Sequence, residues 1–370
     1  MMLQCTNCRR PYPDDQTPYR CPVCGGLYDF PNLPVLDASQ VDVSQPGLWR
    51  YQHVLGLPAD IPIVTLGEGN TPLVWSEAFG QQIAFKLEFC NPSGSFKDRG
   101  SAPLVGFLKS RGITEAVEDS SGNAGASFAA YAAAAGIQAR VFVPGSASGP
   151  KRAQIEAYGA EIISVPGPRS NAAEAVQRAA DQGVVYASHA YFPHLLLGYA
   201  TIAYELYEQI GQVPGTVIMP AGQGGLLLGV GWGFAILKQA GLITKFPGLV
   251  GVQAAACAPL WSAFTYGSLG LQTVSEGRTL AEGVCVRHPL RGDAVLQQVG
   301  SSQGRILIVA EEKILPGRDE LAHRGLFVEP TSAIVWDGLS QIVGQVPEPI
   351  VVILTGSGLK SVQSSILSDR

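Results

Sequence analysis

Asn91-Pro92-Ser93-Gly94-Ser95-Phe96-Lys97-Asp98-Arg99-Gly100 places one lysine directly after a loop of serines and glycine, where an apolar run begins. Ser95 and Asp98 have the spacing of a helix N-cap and its box partner, so a helix is expected over Phe96–Arg111 with Lys97 in its first turn. Lysine is out of place there. The N-terminal end of a helix carries positive partial charge, which disfavours an ammonium and pushes the group toward the neutral amine. A neutral amine is the form that attacks a carbonyl to make a Schiff base.

The surrounding pattern fixes the class. Short β-branched runs are expected as strands at Ile83–Phe89, Arg140–Val143, Glu161–Val165, Val184–Ala187, Thr216–Met219, Leu249–Gln253, Arg305–Val309 and Ile350–Leu354. They alternate with expected helices at Ala124–Ala135, Lys151–Tyr158, Asn171–Asp181, Leu195–Ile210, Leu226–Ala240, Glu311–Ala322 and Thr331–Val343. Apolar strands alternating with helices imply α/β architecture with mainly parallel sheets covered on both faces. Ligands then bind in the loops at the carboxyl ends of strands. Three more such loops stand out. Ser120-Ser121-Gly122-Asn123 opens an alanine-rich helix and offers hydroxyls and free N–H groups to a carboxylate. Gly222-Gln223-Gly224-Gly225 opens another helix and suits a phosphate. It lacks the Lys-Ser/Thr of a Walker loop, and Leu227 stands where a dinucleotide fingerprint has its last glycine, so another phosphorylated cofactor is expected. Thr355 ends the last strand and presents a hydroxyl.

Composition excludes several alternatives. At 370 residues the chain can bury a large core in two units. A net charge of −5 argues against nucleic acid or an anionic membrane as a general partner. The apolar run Val217–Leu237 contains Pro220, Gln223 and six glycines, so it is expected as strand, loop and helix rather than a membrane span. No basic region followed by an apolar run marks a secretory signal at the start, and a cytoplasmic location is expected. Residues 1–36 differ from the rest. Cys5-x2-Cys8 and Cys21-x2-Cys24 are separated by twelve residues, a four-thiolate pattern for structural zinc that leaves no open position for a substrate. The segment has no basic face and is expected to be a folding or docking appendage.

Together the segments Asn91–Gly100, Ser120–Gly125, Gly222–Gly225 and Thr355–Lys360 resemble the threonine synthase family, within the fold-type II (tryptophan synthase β-like) pyridoxal phosphate enzymes. The resemblance covers nearly the whole chain and includes the cysteine ribbon that some members carry. It implies pyridoxal 5'-phosphate as cofactor, with Lys97 as its Schiff-base lysine and the base for the α-proton, and Phe96 beside the ring. It implies Asn123 at the ring hydroxyl, Gly222, Gln223, Gly224 and Gly225 around the phosphate, and Thr355 at the pyridine nitrogen. Ser120, Ser121, Gly122, Asn123 and Ser188 would hold the amino-acid substrate. It also implies a large unit of residues 37–99 and 200–370, a smaller mobile one of 100–199, and a homodimer. The implied reaction converts O-phosphohomoserine and water to threonine and phosphate.

One segment departs from the family. Where members read roughly Ser-x-Asn-Pro-Tyr-Arg-Leu-Glu-Gly, this chain has Phe192 at the asparagine and Leu195 at the arginine that helps hold the substrate phosphate. A leucine makes no bidentate contact with a phosphate. Either His189, His194, Arg152 or Arg287 supplies that charge, or the substrate is an unphosphorylated amino acid such as serine or threonine that undergoes β-elimination or β-replacement.

Overall fold

Parallel pairing dominates two separate sheets, as the alternation of apolar strands and helices requires. The computed structural model describes residues 3–361 apart from 59, 146, 148, 168, 275 and 276, so residues 362–370 of the expected large unit lie outside the described residues. A two-stranded ribbon, β1 (Gln4–Cys5) with β2 (Tyr28–Asp29), comes first. The larger sheet contains β3 (Leu73–Ala78), β4 (Gln81–Lys86), β9 (Thr216–Pro220), β10 (Gly248–Ala254), β11 (Arg305–Val309) and β12 (Ile350–Ile353), in the order β11-β10-β9-β12-β4-β3. All its pairs are parallel except β3 with β4 at the edge. The smaller sheet orders β5 (Glu115–Glu118), β6 (Gln138–Pro144), β7 (Glu161–Val165) and β8 (Val185–Tyr186) as β7-β6-β5-β8, all parallel.

Both faces of the larger sheet are buried, and its side chains divide between them by the two-residue period of a strand. Val217, Met219, Val351 and Ile353 pack into a core shared with α1 (Asp98–Ser110), α2 (Asn123–Ala135), α5 (His194–Ile210) and α6 (Gly225–Gln239). Ile218, Ile350 and Val352 face the second core, built with α9 (Ile314–Ala322) and α10 (Pro330–Ile342). The helices α3 (Pro150–Ala157) and α4 (Arg169–Asp181) complete the smaller sheet's layer, and α7 (Pro259–Tyr266) and α8 (Gly292–Ser301) lie near β10 and β11. The run Val217–Leu237 is β9, a loop and α6, and among the described residues no helix is long and apolar enough to cross a membrane.

Three local expectations need correction. Ser95 and Asp98 do not form a capping box: Lys97 itself is the N-cap of α1 and no side chain caps it. Asp98 is buried and accepts from Ser93 N (2.6 Å), Ser93 Oγ (2.5 Å) and Ser127 Oγ (2.6 Å), while the Ser95 backbone forms a bridge to Gly356. The expected helix Glu311–Ala322 is a 3₁₀ turn, Glu311–Lys313, before α9, whose first turn tolerates Pro316 because that N–H would have no helical partner. β5 was absent from the expected strands, although the loop Ser120–Asn123 needs a strand before it.

A buried charge network sets where α1 begins. Arg99 donates to both carboxylate oxygens of Glu88 (2.7 and 2.8 Å) and both of Glu205 (2.7 Å each), and Lys86 Nζ reaches Glu205 Oε2 at 2.6 Å. All four side chains are fully buried. Two cations balance two anions, so no charge is left unpaired. Removing one partner strands the others without water, which costs about 3–5 kcal/mol. Denaturant unfolding of Arg99→Ala should show a loss of that size; a loss below about 1 kcal/mol would contradict the network's role. Burial alone would raise the Glu205 carboxyl, but Arg99 and Lys86 hold it down to about 2 against its ordinary 4.5. Its contribution to stability is therefore present above about pH 4.5 and disappears as the pH falls toward 2.

Candidate functional site

The strand order brings three loops to one place. β4, β12 and β9 are neighbours in the larger sheet, and Lys97, Thr355 and Gly222–Gly225 follow their carboxyl ends. Ser120–Asn123 follows β5 of the smaller sheet. A cavity of about 150 Å³ lies where they converge. Its lining contains Phe96, Lys97, Ser120, Ser121, Gly122, Asn123, Gly222, Gln223, Gly224, Gly225 and Thr355. Ser188 is not part of the lining: it is fully buried and its hydroxyl accepts from Ala190 N (3.3 Å), while the next residue, His189, faces the cavity. A more open groove of about 980 Å³ runs between the ribbon and β8 and contains none of the expected site residues.

Each loop has a physical reason for its shape. Gly224 is the N-cap of α6 at φ +78, where a side chain would meet Val295 at 2.5 Å; no side chain caps this helix start, and the loop lines the cavity. At Gly125 a Cβ would lie 1.8 Å from the Ser120 carbonyl oxygen, so only glycine lets the loop fold back against α2. Gln223 reaches out of the loop and accepts from Leu290 N (3.1 Å), tying the glycines to the segment that carries Glu282, Gly283, Val284 and Val286 into the cavity.

Several polar atoms of the cavity have no partner. Asn123 Oδ1 and Thr355 Oγ1 are buried without a hydrogen bond among the described residues. Asn123 donates its amide to Glu329 Oε1 at 2.6 Å, and Lys151 pairs with Glu329 Oε2 at 2.7 Å. Buried polar groups are normally satisfied, so two orphans aimed at one cavity mark where a ligand's own polar atoms belong. Lys97 Nζ lies 4.6 Å from the Phe96 ring centroid and 5.9 Å from that of Tyr199. Burial of the ammonium lowers Lys97 to about 8 against its ordinary 10.5, so loss of solvation, rather than the helix end named from sequence, leads the shift.

Of the four cations considered for the missing arginine, only His189 reaches the cavity. His194 is buried and stacks on Phe107 at 4.5 Å, Arg152 pairs with Glu156 at 3.1 Å, and Arg287 is exposed beside Val286 without lining the cavity itself. Leu195 and Phe192 are core residues. The cavity does contain two cations that sequence reasoning passed over, Lys151 and Arg169. Both sit in the first turn of helices, α3 and α4, that follow β6 and β7. That is the same signal that singled out Lys97.

In the ribbon, Cys5, Cys8, Cys21 and Cys24 bring their four sulfurs within 4.8 Å of one another. Two of the separations are 3.4 Å (Cys5 to Cys24) and 3.7 Å (Cys8 to Cys21). Tetrahedral zinc with bonds of about 2.3 Å needs sulfurs about 3.8 Å apart.

Residues 64–356 match the family described as pyridoxal-phosphate dependent enzymes. The chain is 32% identical to the threonine synthase of Methanocaldococcus jannaschii, over 99% of this chain and 94% of that protein. It is 31% identical to the threonine synthase of Methanosarcina acetivorans, over 98% and 93%, and 34% identical to that of Synechocystis, over 84% of each. Among solved structures, maize serine racemase superposes with a TM-score of 0.67 at 22% identity, covering 78% of this chain and 88% of that one. A threonine deaminase from T.th. superposes with a TM-score of 0.65 at 26% identity, covering 78% and 92%.

The lowered Lys97 makes a direct prediction. Trapping of a small aldehyde on the cofactor-free protein by borohydride should quicken with pH and level off above about 8, as the neutral amine accumulates. Half-maximal trapping at the ordinary lysine value of 10.5 would contradict the buried site.

Proposed function

The chain belongs to the threonine synthase family of pyridoxal-phosphate dependent enzymes, and we propose that it converts O-phosphohomoserine and water to threonine and phosphate. The observation that carries this is likeness to threonine synthases from end to end, with one cavity that gathers every part the reaction needs. The cofactor is pyridoxal phosphate, and the cavity fits it. Lys97 supplies the amine. The bare N–H groups of Gly222–Gly225 suit its phosphate, the orphan Asn123 Oδ1 its ring hydroxyl, and the orphan Thr355 Oγ1 its pyridine nitrogen.

When bound, the cofactor supplies an electron sink for chemistry at the amino-acid Cα. The protein supplies the rest. Ser120, Ser121 and the N-terminus of α2 hold the substrate carboxylate. Lys97, once its amine is free, takes the proton from Cα. A threonine hydroxyl at the pyridine nitrogen, unlike a carboxylate, does not hold a proton there, which favours elimination and replacement over transamination. Arg169 and Lys151 take the place of the family's arginine and receive the substrate phosphate. Arg169 has no hydrogen bond or ion pair among the described residues, so its five donors are free for the phosphate oxygens. The ribbon binds structural zinc, and the enzyme works as a homodimer.

The second reading, elimination or replacement on an unphosphorylated amino acid, draws on the burial of Leu195 and Phe192 where a phosphate contact is expected. One assay separates the two. Phosphate and threonine should form from O-phosphohomoserine, with no comparable keto acid from serine or threonine; rapid keto-acid formation without phosphate release would overturn the synthase reading. Arg169→Gln should raise KM for O-phosphohomoserine about tenfold or more, the effect of one charge-assisted contact. An unchanged KM would remove Arg169 from the phosphate site. Metal analysis should find one zinc per chain, lost in Cys21→Ser with weakened folding; a metal-free, fully stable wild type would refute the zinc assignment.

A further inference from the structure

Glu118 is the last residue of β5, and the pairing of β5 with β8 (Val117 with Tyr186) brings the chain just beyond β8 against it. Ala187 N donates to the Val117 carbonyl at 2.8 Å. Two residues later, His189 Nδ1 meets Glu118 Oε1 at 2.5 Å, across 71 positions of sequence. Glu118 is fully buried, its other oxygen has no partner among the described residues, and the imidazole lines the cavity beside Lys97. Since Glu118 takes Nδ1, Nε2 is the nitrogen left for the cavity. A carboxyl group behind a histidine fixes which ring nitrogen carries the proton, and a buried one that keeps its own proton can also exchange it with the ring.

We propose that Glu118 and His189 are a proton-sharing dyad, the second acid–base group of this site beside Lys97. The proposal rests on the reaction assigned above. As the Cγ–O bond breaks, its electron pair leaves with the phosphate and the electrons of a Cβ–H bond close the Cβ–Cγ double bond. Lys97, once it has passed on the Cα proton, takes this one and later gives it to Cγ, while His189 Nε2–H gives the leaving oxygen a proton and the Glu118 proton moves onto Nδ1. When water adds, its oxygen bonds to Cβ, its proton goes to Nε2, and the Nδ1 proton returns to Glu118. The dyad ends as it began, and phosphate departs with the proton that water supplied. Glu118 acts through His189 and is a positioning residue and proton store; His189 makes the contact.

Burial keeps the proton on the glutamate. It raises Glu118 to about 8, opposed by the Asp119 backbone N–H and by Lys97 and Arg169. Burial, with Lys97 and Arg169 as neighbouring cations, lowers His189 to about 3, and Asp119 opposes them. Asp119 itself is held by the Tyr186 hydroxyl at 2.7 Å.

The experiment is nitrogen NMR of histidine-labelled holoenzyme with Glu118→Gln and His189→Gln beside the wild type. The wild-type His189 ring should stay neutral and Nε2-protonated from pH 8 to pH 5. Glu118→Gln keeps a donor to Nδ1 but holds no transferable proton. Its kcat should fall on the order of 10²–10³-fold at unchanged KM, and the fall in wild-type rate above about pH 8 should vanish. A ring that is cationic at pH 7 would overturn the dyad, as would a Glu118→Gln kcat within threefold of wild type. Selective broadening of His189 by added Mn²⁺ would overturn it too, since Glu118, Asp119 and His189 would then be a cation site. The ring state is read without substrate. A failure of the synthase reading, keto acid without phosphate, therefore remains distinct from a failure of the dyad.

Discussion

Arg99 carries a full charge into the interior and has to be answered there. Its guanidinium spans Glu88 from the turn after β4 and Glu205 from the middle of α5, with Thr71 and Thr201 taking further donors. Those contacts fix the first turn of α1 against the larger sheet. Asp98, one residue earlier, is buried against Ser127 of α2 and so fixes the same turn against the smaller sheet. Lys97, one residue earlier again, has only the cavity left to it. Three consecutive charged residues thus serve three directions, and the reactive amine is placed by what its neighbours cannot give up. Ionic groups at such depth stabilise little beyond an apolar core, but they make a misplaced α1 very costly.

The chemistry follows from the same geometry. In a parallel sheet every strand delivers its loop to one edge, and the adjacent β4, β12 and β9 deliver an amine, a hydroxyl and a glycine-rich helix start side by side. The second sheet turns its own strand ends toward that edge and adds Ser120–Asn123, Lys151, Arg169 and His189. Helices that start there point positive ends inward, which suits the carboxylate and phosphates of the substrate and cofactor.

Much of this was legible in the sequence because it is local. The four loops announce themselves by composition, and the alternation of β-branched and alanine-rich runs places most strands and helices. The errors come from long-range contacts. Ser95 and Asp98 have capping-box spacing, but Asp98 finds two serine hydroxyls from elsewhere in the fold. Ser188 sits in a family motif, but the turn after β8 presents His189, not Ser188, to the cavity. Glu118 gave no signal, because its meaning depends on a residue 71 positions away. Lys151 and Arg169 did carry the Lys97 signal, a cation where the helix end disfavours it, and Lys151 follows a loop of glycines and serines as Lys97 does, but neither lies in one of the four segments that resemble the family. The ribbon was plain from its cysteines, but not its docking: Arg291 holds the Tyr28 carbonyl at 3.0 Å while also holding those of Ala190 and Tyr191, next to His189.

The central claim is that Asn91–Gly100 exists to deliver one amine to the meeting point of two sheets. Borohydride reduction of the native, cofactor-loaded protein followed by peptide mapping tests it most directly. One pyridoxyl group per chain is expected, on the peptide containing Lys97, and none bound covalently in Lys97→Ala. A pyridoxyl group on Lys86, Lys151 or Lys360 instead, or an undiminished yield in Lys97→Ala, would contradict it.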